Sequence, residues 1–468
     1  WEIKTQAGIL HYNMKWLDDD KGREKKRAFL KSIWLQACAF LYTNRVHPEE
    51  IFWSYPGSMM TSDRDELEGI FEDLCKITPF GRKPELANKL FTEAEAVCSY
   101  AMSQEFGLNS NNMFLGIDVG GSTSDILLIA KNPQNNNRYS LFRESSVRLA
   151  AGVFFDAVKK SEQYRQALVD FHEGHDTAVY VENIKEIIDH PDKAPYYLNS
   201  IFDQLKNQDD YDAFYASLSS NAKFVFTIPA YVCGLLLFYS GMLIGKTIKL
   251  NRLGNIERIE LMPFGKGGRL FHWLRHASSL RTTNEFYNNC VNAGLQLIIP
   301  DKTVSIKYHE EIENDNKTEV ARGLCENNEL AIVDALNDCD ICGEAGVRFI
   351  KDGNTISIAP DDEISGEQFS DDMSYFDFSG VQNFEKFMDI FIKFVSKDTK
   401  LYHRAEDSLR DEICELPTRI ISFCTNDPEY KKASKNNKNG EGFHYHQPII
   451  IAEGACFLKS LISKVFNQ

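Results

Sequence analysis

The stretch Phe114-Leu115-Gly116-Ile117-Asp118-Val119-Gly120-Gly121-Ser122-Thr123-Ser124-Asp125-Ile126-Leu127-Leu128-Ile129 sets two apolar runs either side of a glycine and hydroxyl turn, with an aspartate at each end. That pattern predicts two buried strands joined by a tight turn. Gly120 and Gly121 accept backbone angles closed to other residues, so successive N–H groups can converge on phosphate oxygens with no Cβ in the way. Ser122 and Thr123 complete the turn, and Thr123 adds a hydroxyl donor. Asp118, leaving the first strand, is placed to hold a hydrated Mg²⁺ or to orient a water, because Mg²⁺ on nucleotides uses one or two carboxylates and keeps its waters. The alternative for the same residues is a Gly-Gly hairpin with polar ends.

Working outward, Thr92-Glu93-Ala94-Glu95-Ala96-Val97 reads as a helix start, and Ile51 to Met59 as a strand followed by a helix from about Asp63 to Lys76. Downstream, Ser145 to Asp156 reads as a strand entering a helix. Ile256 to Phe264 is a further β-like run, Gly265-Lys266-Gly267-Gly268 a breaker cluster, and Arg269 to Ala277 a helix with apolar Leu270, Phe271, Trp273 and Leu274. Pro448 to Leu458 is a rival strand-turn-helix, ranked second because one glycine marks its turn.

In this order the segments resemble the Hsp70/actin/sugar-kinase superfamily, closest to its Hsp70-like and actin-like ATPase domains. Residues 118–125 resemble the second phosphate loop, Asp-x-Gly-Gly-x-Thr-x-Asp. Residues 92–97 resemble the Glu-Pro-x-Ala-Ala helix start that supplies a water-orienting glutamate, with Ala94 where the family has proline. Residues 51–59 resemble the strand ending in Val-Pro-Ala-Tyr, and 145–156 the third strand and its Gly-Gly-x-x-Phe-Asp helix entry. Residues 256–277 resemble the adenosine motif, where a bare backbone lets adenine and ribose lie against the turn and a helix N-terminus offers N–H groups. Thr318 to Leu324 is similar to the Ala-x-Gly-Ala helix that follows.

The resemblance spans residues 30–330 and implies an α/β, actin-like ATPase (ribonuclease H-like) fold with mixed sheets flanked by helices, an inserted lobe and a C-terminal accessory domain. It implies ATP or ADP with Mg²⁺ as cofactors. Glu93, Asp118 and Asp125 would be catalytic, and Asp118 and Asp125 would meet Mg²⁺ through water. Gly120, Gly121, Ser122, Thr123, Gly265, Lys266, Gly267, Gly268 and Arg269 would hold the nucleotide. Proline suits a first helical position, so Ala94 predicts a looser start for the Glu93 helix. No Asp-x-Gly-x-Ser/Thr loop precedes Ile51 and the chain opens on Trp1, so the expected first phosphate loop lies upstream or is absent.

The chain has 468 residues, 43% of them hydrophobic, which is enough for substantial cores and two or more domains. A formal net charge of −16 argues against nucleic-acid or anionic-membrane binding. The 11 cysteines are scattered in apolar contexts, a pattern of reduced, packed thiols. Cys339-x-x-Cys342 lacks a second pair at finger spacing, and His444-x-His446 lies beside a Lys/Asn/Gly-rich tract, so neither reads as a metal site. Phe224 to Gly245 carries only neutral side chains, but its prolines, glycines and hydroxyls favour a core helix over a membrane span. With no signal peptide in view, the expected location is cytoplasmic.

Residues 1–90 are expected to form a partial first lobe of helix, strand and helix, with Arg27 to Leu41 amphipathic and Asp18 to Asp20 a loop. Residues 91–330 would form the second lobe, with an inserted subdomain at about 159–222 in which Asp209 to Asp212 is a loop. Residues 331–468 read as an accessory α+β segment with a hairpin at Val347 to Ile358, a helix at Phe384 to Val395 and a flexible tract at Glu429 to Gly442. The function expected is a nucleotide-dependent switch or slow ATPase controlling a protein partner. The alternatives are a nucleotide-binding scaffold or filament protein without turnover, and a metabolite kinase of the same superfamily.

Overall fold

Apolar residues fill nearly every position of Met113–Val119 and Ile126–Ala130, a pattern that only a sheet covered on both faces can bury. The computed structural model describes residues 20–55, 59, 61–87, 91–103, 111–121, 123–133, 138–154, 208–217, 225–309, 318–326, 331–332, 340–351, 353–363, 376–397, 406–426 and 447–466, with single positions 164, 166, 170 and 431. Helix α1 (Asp20–Thr43) comes first, then strands β1 (Glu50–Ile51) and β2 (Ser54–Tyr55), helix α2 (Thr61–Lys76), and strands β3 (Glu85–Leu86) and β4 (Phe91–Thr92). Helix α3 (Glu93–Ser103) leads into β5 (Asn112–Val119), β6 (Ser124–Asn132) and β7 (Arg138–Val147). Next are α4 (Gln208–Ser217), α5 (Thr227–Asn251), β8 (Arg258–Phe264), α6 (Arg269–Ala277), α7 (Leu280–Ile298), β9 (Ser305–Tyr308), α8 (Glu319–Cys325) and β10 (Ala331–Ile332). The rest comprises β11 (Val347–Lys351), β12 (Asn354–Ile358), β13 (Phe376–Phe378), α9 (Gln382–Lys397), α10 (Glu406–Thr425) and α11 (Ile449–Phe466).

The protein is a mixed α/β structure. Its main sheet runs β10-β7-β6-β5-β8-β9. Strands β5, β6 and β7 form an antiparallel meander, β8 and β9 add in parallel beside β5, and β10 adds in parallel to β7. Even-numbered positions of β5 face α3, where Val97, Cys98, Tyr100 and Ala101 pack on Phe114, Leu127, Leu141, Met262 and Phe264. The opposite face, with Leu115, Ile117, Val119, Ile126 and Leu128, belongs to a second core built around α5.

Helix α5 is long and apolar enough to cross a membrane by length and composition alone, and its apolar window is entirely buried inside the protein. It is a core helix. The sheet, α6, α7, α9 and α11 all pack against it. Tyr231 of α5 holds the C-terminal helices, with ring centroids 5.4 Å from Phe387, 5.3 Å from Phe391 and 5.8 Å from Phe457, and its hydroxyl donates to Gly454 O at 2.9 Å. Helices α5 and α7 approach closely: a Cβ on Gly294 would lie 1.9 Å from Phe238 O.

Several local expectations change. Asp209 to Asp212 opens α4 instead of forming a loop, because aspartates in a first turn complement the helix dipole and Phe214 one turn on is buried in the core. Pro448 to Ile451 is not a strand. The Pro448 carbonyl accepts from Ile451 N–H (3.1 Å) and Ala452 N–H (3.0 Å), so the isoleucines form the first turn of α11, and that rival site is removed. Asp20 begins α1 rather than ending a loop; Phe29, Ile33, Phe40 and Tyr42 on this helix stay exposed, so it lacks the single core-facing stripe expected. The Val347–Ile358 hairpin is present, its turn made by Gly353 at φ +78°. Cys339, His444, His446, the whole of Glu429 to Gly442 except Lys431, and Asp18 and Asp19 lie outside the described residues.

Two predictions arise here. On helix propensity alone, Gly294→Ala would stabilise by about 1 kcal/mol; the Phe238 contact reverses the sign, and a loss of roughly 1–3 kcal/mol or more is expected in urea unfolding. The second concerns Glu453 of α11, which faces Glu344 inside the core. Glu344 is tied as an acceptor to the N–H groups of Ala345, Asn383 and Phe384. Burial, and then the Glu344 carboxylate, raise the Glu453 pKa well above the ordinary range. The folded protein therefore keeps a proton that the unfolded chain releases above about pH 4.3. This contribution to stability is full below that pH and is lost as pH rises through the folded value. Glu453→Gln, permanently neutral, should flatten the fall in urea midpoint between acidic and alkaline pH; equal slopes in the two proteins would refute it.

Candidate functional site

Both glycine turns lie at one end of the main sheet. Asp118, near the C-terminal end of β5, pairs with Asp125 of β6 on one side and with Phe264 of β8 on the other. The chain turns immediately after β5 and immediately after β8, so the segments around Gly120 and Gly265 become neighbours. A Cβ on Gly265 would lie 2.1 Å from Asp118 Oδ1, and one on Gly267 would lie 2.4 Å from Val119 O. Gly265 also has φ +66°, a conformation that favours glycine. Only backbone without side chains can bring the second turn this near the first.

The first turn is pinned from behind. Gly120 N–H donates to Thr123 O at 2.9 Å, and the carbonyls of Gly120 and Gly121 accept from Ala151 N–H (3.1 Å) and Gly152 N–H (2.9 Å) just after β7. Because a trans peptide points its N–H opposite its C=O, tying the Gly120 carbonyl to Ala151 turns the Gly121 N–H to the other side. A Cβ added at Gly121 meets nothing within 4 Å. The turn thus presents an amide donor beside open space, which suits an anion. The second turn, a single 3₁₀ turn at Lys266–Gly268, passes directly into α6, which Gly268 caps with no side-chain hydrogen bond. The first N–H groups of such a helix have no partner within the helix.

Three carboxylates gather on the α3 side of the same end. Asp125 is 4% exposed and accepts from Ser146 Oγ at 2.5 Å, while Asp118 is half-buried. Two residues before Ser146 on β7, Glu144 Oε2 accepts from Thr92 Oγ1 at 3.0 Å. Thr92 directly precedes Glu93, so the first turn of α3 sits over the patch that holds Asp125. Glu93 itself is half-buried.

The start of α3 is better secured than Ala94 implied. Thr92 Oγ1 accepts from Glu95 N–H (2.9 Å) and Glu95 Oε2 accepts from Thr92 N–H (2.8 Å), a reciprocal capping box. It takes over the anchoring that a first-turn proline would give. On the far side of α3, a Cβ on Gly323 of α8 would lie 1.7 Å from Ala96 O, so the two helices touch backbone to backbone.

The structure therefore brings together Glu93, Asp118, Asp125, Gly120, Gly121, Thr123, Gly265, Gly267, Gly268 and the first residue of α6, Arg269. Ser122 and the Lys266 side chain lie outside the described residues. Among the described residues no group of three or more His, Cys, Asp or Glu is arranged to hold a metal ion. A Mg²⁺ here would accordingly rest on few protein ligands and keep its waters, as Mg²⁺ commonly does. Sequence reasoning missed Ser146, Glu144 and the Ala151–Gly152 amides as supports of the site. The Thr92-x-x-Glu95 spacing did carry the capping signal, and the alternation of Glu144 and Ser146 along β7 was the clue to the face they share.

No protein-family model matches the chain, and no curated protein matches it either. Removing the cap is expected to be measurable: Thr92→Ala should lower stability by about 1 kcal/mol in urea unfolding, and an unchanged midpoint would show that the box does not hold α3.

Proposed function

We propose that the chain is an ATP-binding protein of the Hsp70/actin kind, acting as a nucleotide-dependent switch or slow ATPase toward a protein partner. The observation that carries this is the contact between the two glycine turns, with the Asp118 carboxylate lying against Gly265. A phosphate-binding and an adenosine-binding turn must meet at one nucleotide, and these two, far apart in sequence, do meet. The strand order supports the finer fold, an actin-like (ribonuclease H-like) ATPase half: an antiparallel meander carries the phosphate turn in its first hairpin, and a parallel strand beside the first bears the adenosine turn.

In this proposal the amides of the Gly120–Thr123 turn bind phosphate oxygens, and Gly265 to Arg269 lie along adenosine. Asp118 orients metal-bound water, and Asp125, held by Ser146, contributes charge from behind it. Glu93, fixed at the helix start by the capping box, positions the attacking water. A bound Mg²⁺ would neutralise phosphate charge, the main requirement of phosphoryl transfer alongside positioning. Nucleotide-dependent movement of the turns would reach a partner through α5, on which the C-terminal helices are packed.

Gly121→Val is the sharpest test, because the protein itself leaves room for the new side chain. The variant should melt like the parent without nucleotide yet show no calorimetric binding of MgATP or MgADP, whereas the parent binds both. Asp118→Ala should lose mainly the Mg²⁺-dependent part of the affinity. Glu93→Ala should bind normally and hydrolyse roughly 10²-fold more slowly. A parent that gives no heat with millimolar nucleotide overturns the proposal; binding without any hydrolysis would favour a nucleotide-binding scaffold.

A further inference from the structure

We infer that His272 and His276 of α6 form a binding site for a borderline divalent transition-metal ion such as Zn²⁺, Ni²⁺ or Cu²⁺. Residues four apart on a helix stand one above the other on the same face. Here the two Nε2 atoms are 3.0 Å apart, with ring centroids at 4.3 Å and the planes inclined by 78°. An ion about 2.0–2.1 Å from each nitrogen would see the pair at roughly 90–95°, close to the angle between adjacent ligands of an octahedral ion and within reach of a distorted tetrahedral one.

The pair is already arranged for chelation. Between two neutral rings one Nε2 must carry the proton and the other accept it. A metal takes the place of that shared proton, which passes to Nδ1 of the same ring, so the exchange needs no net proton release. The helix beneath is rigidly seated: Leu270, Phe271, Trp273, Leu274 and Ala277 are buried, and Tyr287 of α7 donates its hydroxyl to Phe271 O at 3.0 Å. Both imidazoles are half-buried on the other side. Helix α4 packs against α6 and brings Asp209, Asp210 and Asp212, whose negative charge favours a cation nearby. Water would complete the coordination. Imidazole suits Zn²⁺, Ni²⁺ and Cu²⁺, whereas Mg²⁺ prefers oxygen, so this ion differs from the one proposed beside Asp118, and the inference does not depend on the nucleotide reading.

The test is calorimetric titration of the chelator-stripped full chain with NiCl₂ and with ZnCl₂ near pH ~7.5, where unperturbed imidazoles are neutral. Saturable binding is expected, weakened by roughly tenfold or more in both His272→Ala and His276→Ala and unchanged in His47→Ala, which alters an exposed histidine elsewhere. Metal-free melting curves check that the variants fold. Should either fail, acidifying the parent to about pH 5.5 gives a second arm, because protonated imidazoles cannot ligate and the ion must be released. No saturable binding, parental affinity in both folded variants, or binding that persists undiminished at low pH each overturns the site.

Discussion

The double pairing of β5 governs the rest of the molecule. On one edge it runs antiparallel to β6, and on the other parallel to β8, with Asp118 in register with Asp125 and Phe264 at once. An antiparallel neighbour returns through a short hairpin, whereas a parallel neighbour needs a long crossover. One strand therefore brings a local turn and a distant turn to the same point. A one-residue slip on either edge would carry Asp118 to the opposite face, away from α3. The alternating burial of β5 makes such a slip costly, since it would exchange the residues of two different cores.

Polar groups reinforce that register at both ends of the sheet. At the end away from the glycine turns, buried Glu260 of β8 collects Asn112 of β5 (3.1 Å), Arg258 (2.7 Å) and His309 just after β9 (2.6 Å), which ties three adjacent strands through one carboxylate. Truncating a partner there would leave a buried charge poorly compensated, a loss larger than the worth of any single hydrogen bond. At the glycine end the work passes to backbone: the carbonyls of Gly120 and Gly121 are held by Ala151 and Gly152. One end is thus locked by side chains, and the other is left bare enough for a ligand to approach.

Much of this was legible in the sequence because the signals were local. The apolar runs flanking Gly120–Thr123, the glycine cluster before Arg269 and the neutral stretch within α5 each announce an element without reference to the rest of the chain. What stayed hidden depends on partners remote in sequence. Nothing in Asp209–Asp212 shows that Phe214 will be drawn into a core, and that burial decides helix over loop. The three isoleucines after Pro448 have strand propensity, yet their packing in the C-terminal helix prevails over it. The link from Thr92 through Glu144 to the Asp125 patch crosses three elements, so no window of sequence contains it.

The complete burial of α5 also bears on how the chain is made. Its shell is drawn from both sides in sequence: β5–β7 precede it, while α7, α9 and α11 follow. During synthesis the helix emerges long before its last partners, so an apolar surface wide enough to pass for a membrane span stays uncovered while the remaining residues are added. Contacts of such wide sequence separation close late, and the interval is one in which partly folded chains aggregate or engage chaperones. The feature that makes the finished core secure is thus what leaves the nascent chain most vulnerable.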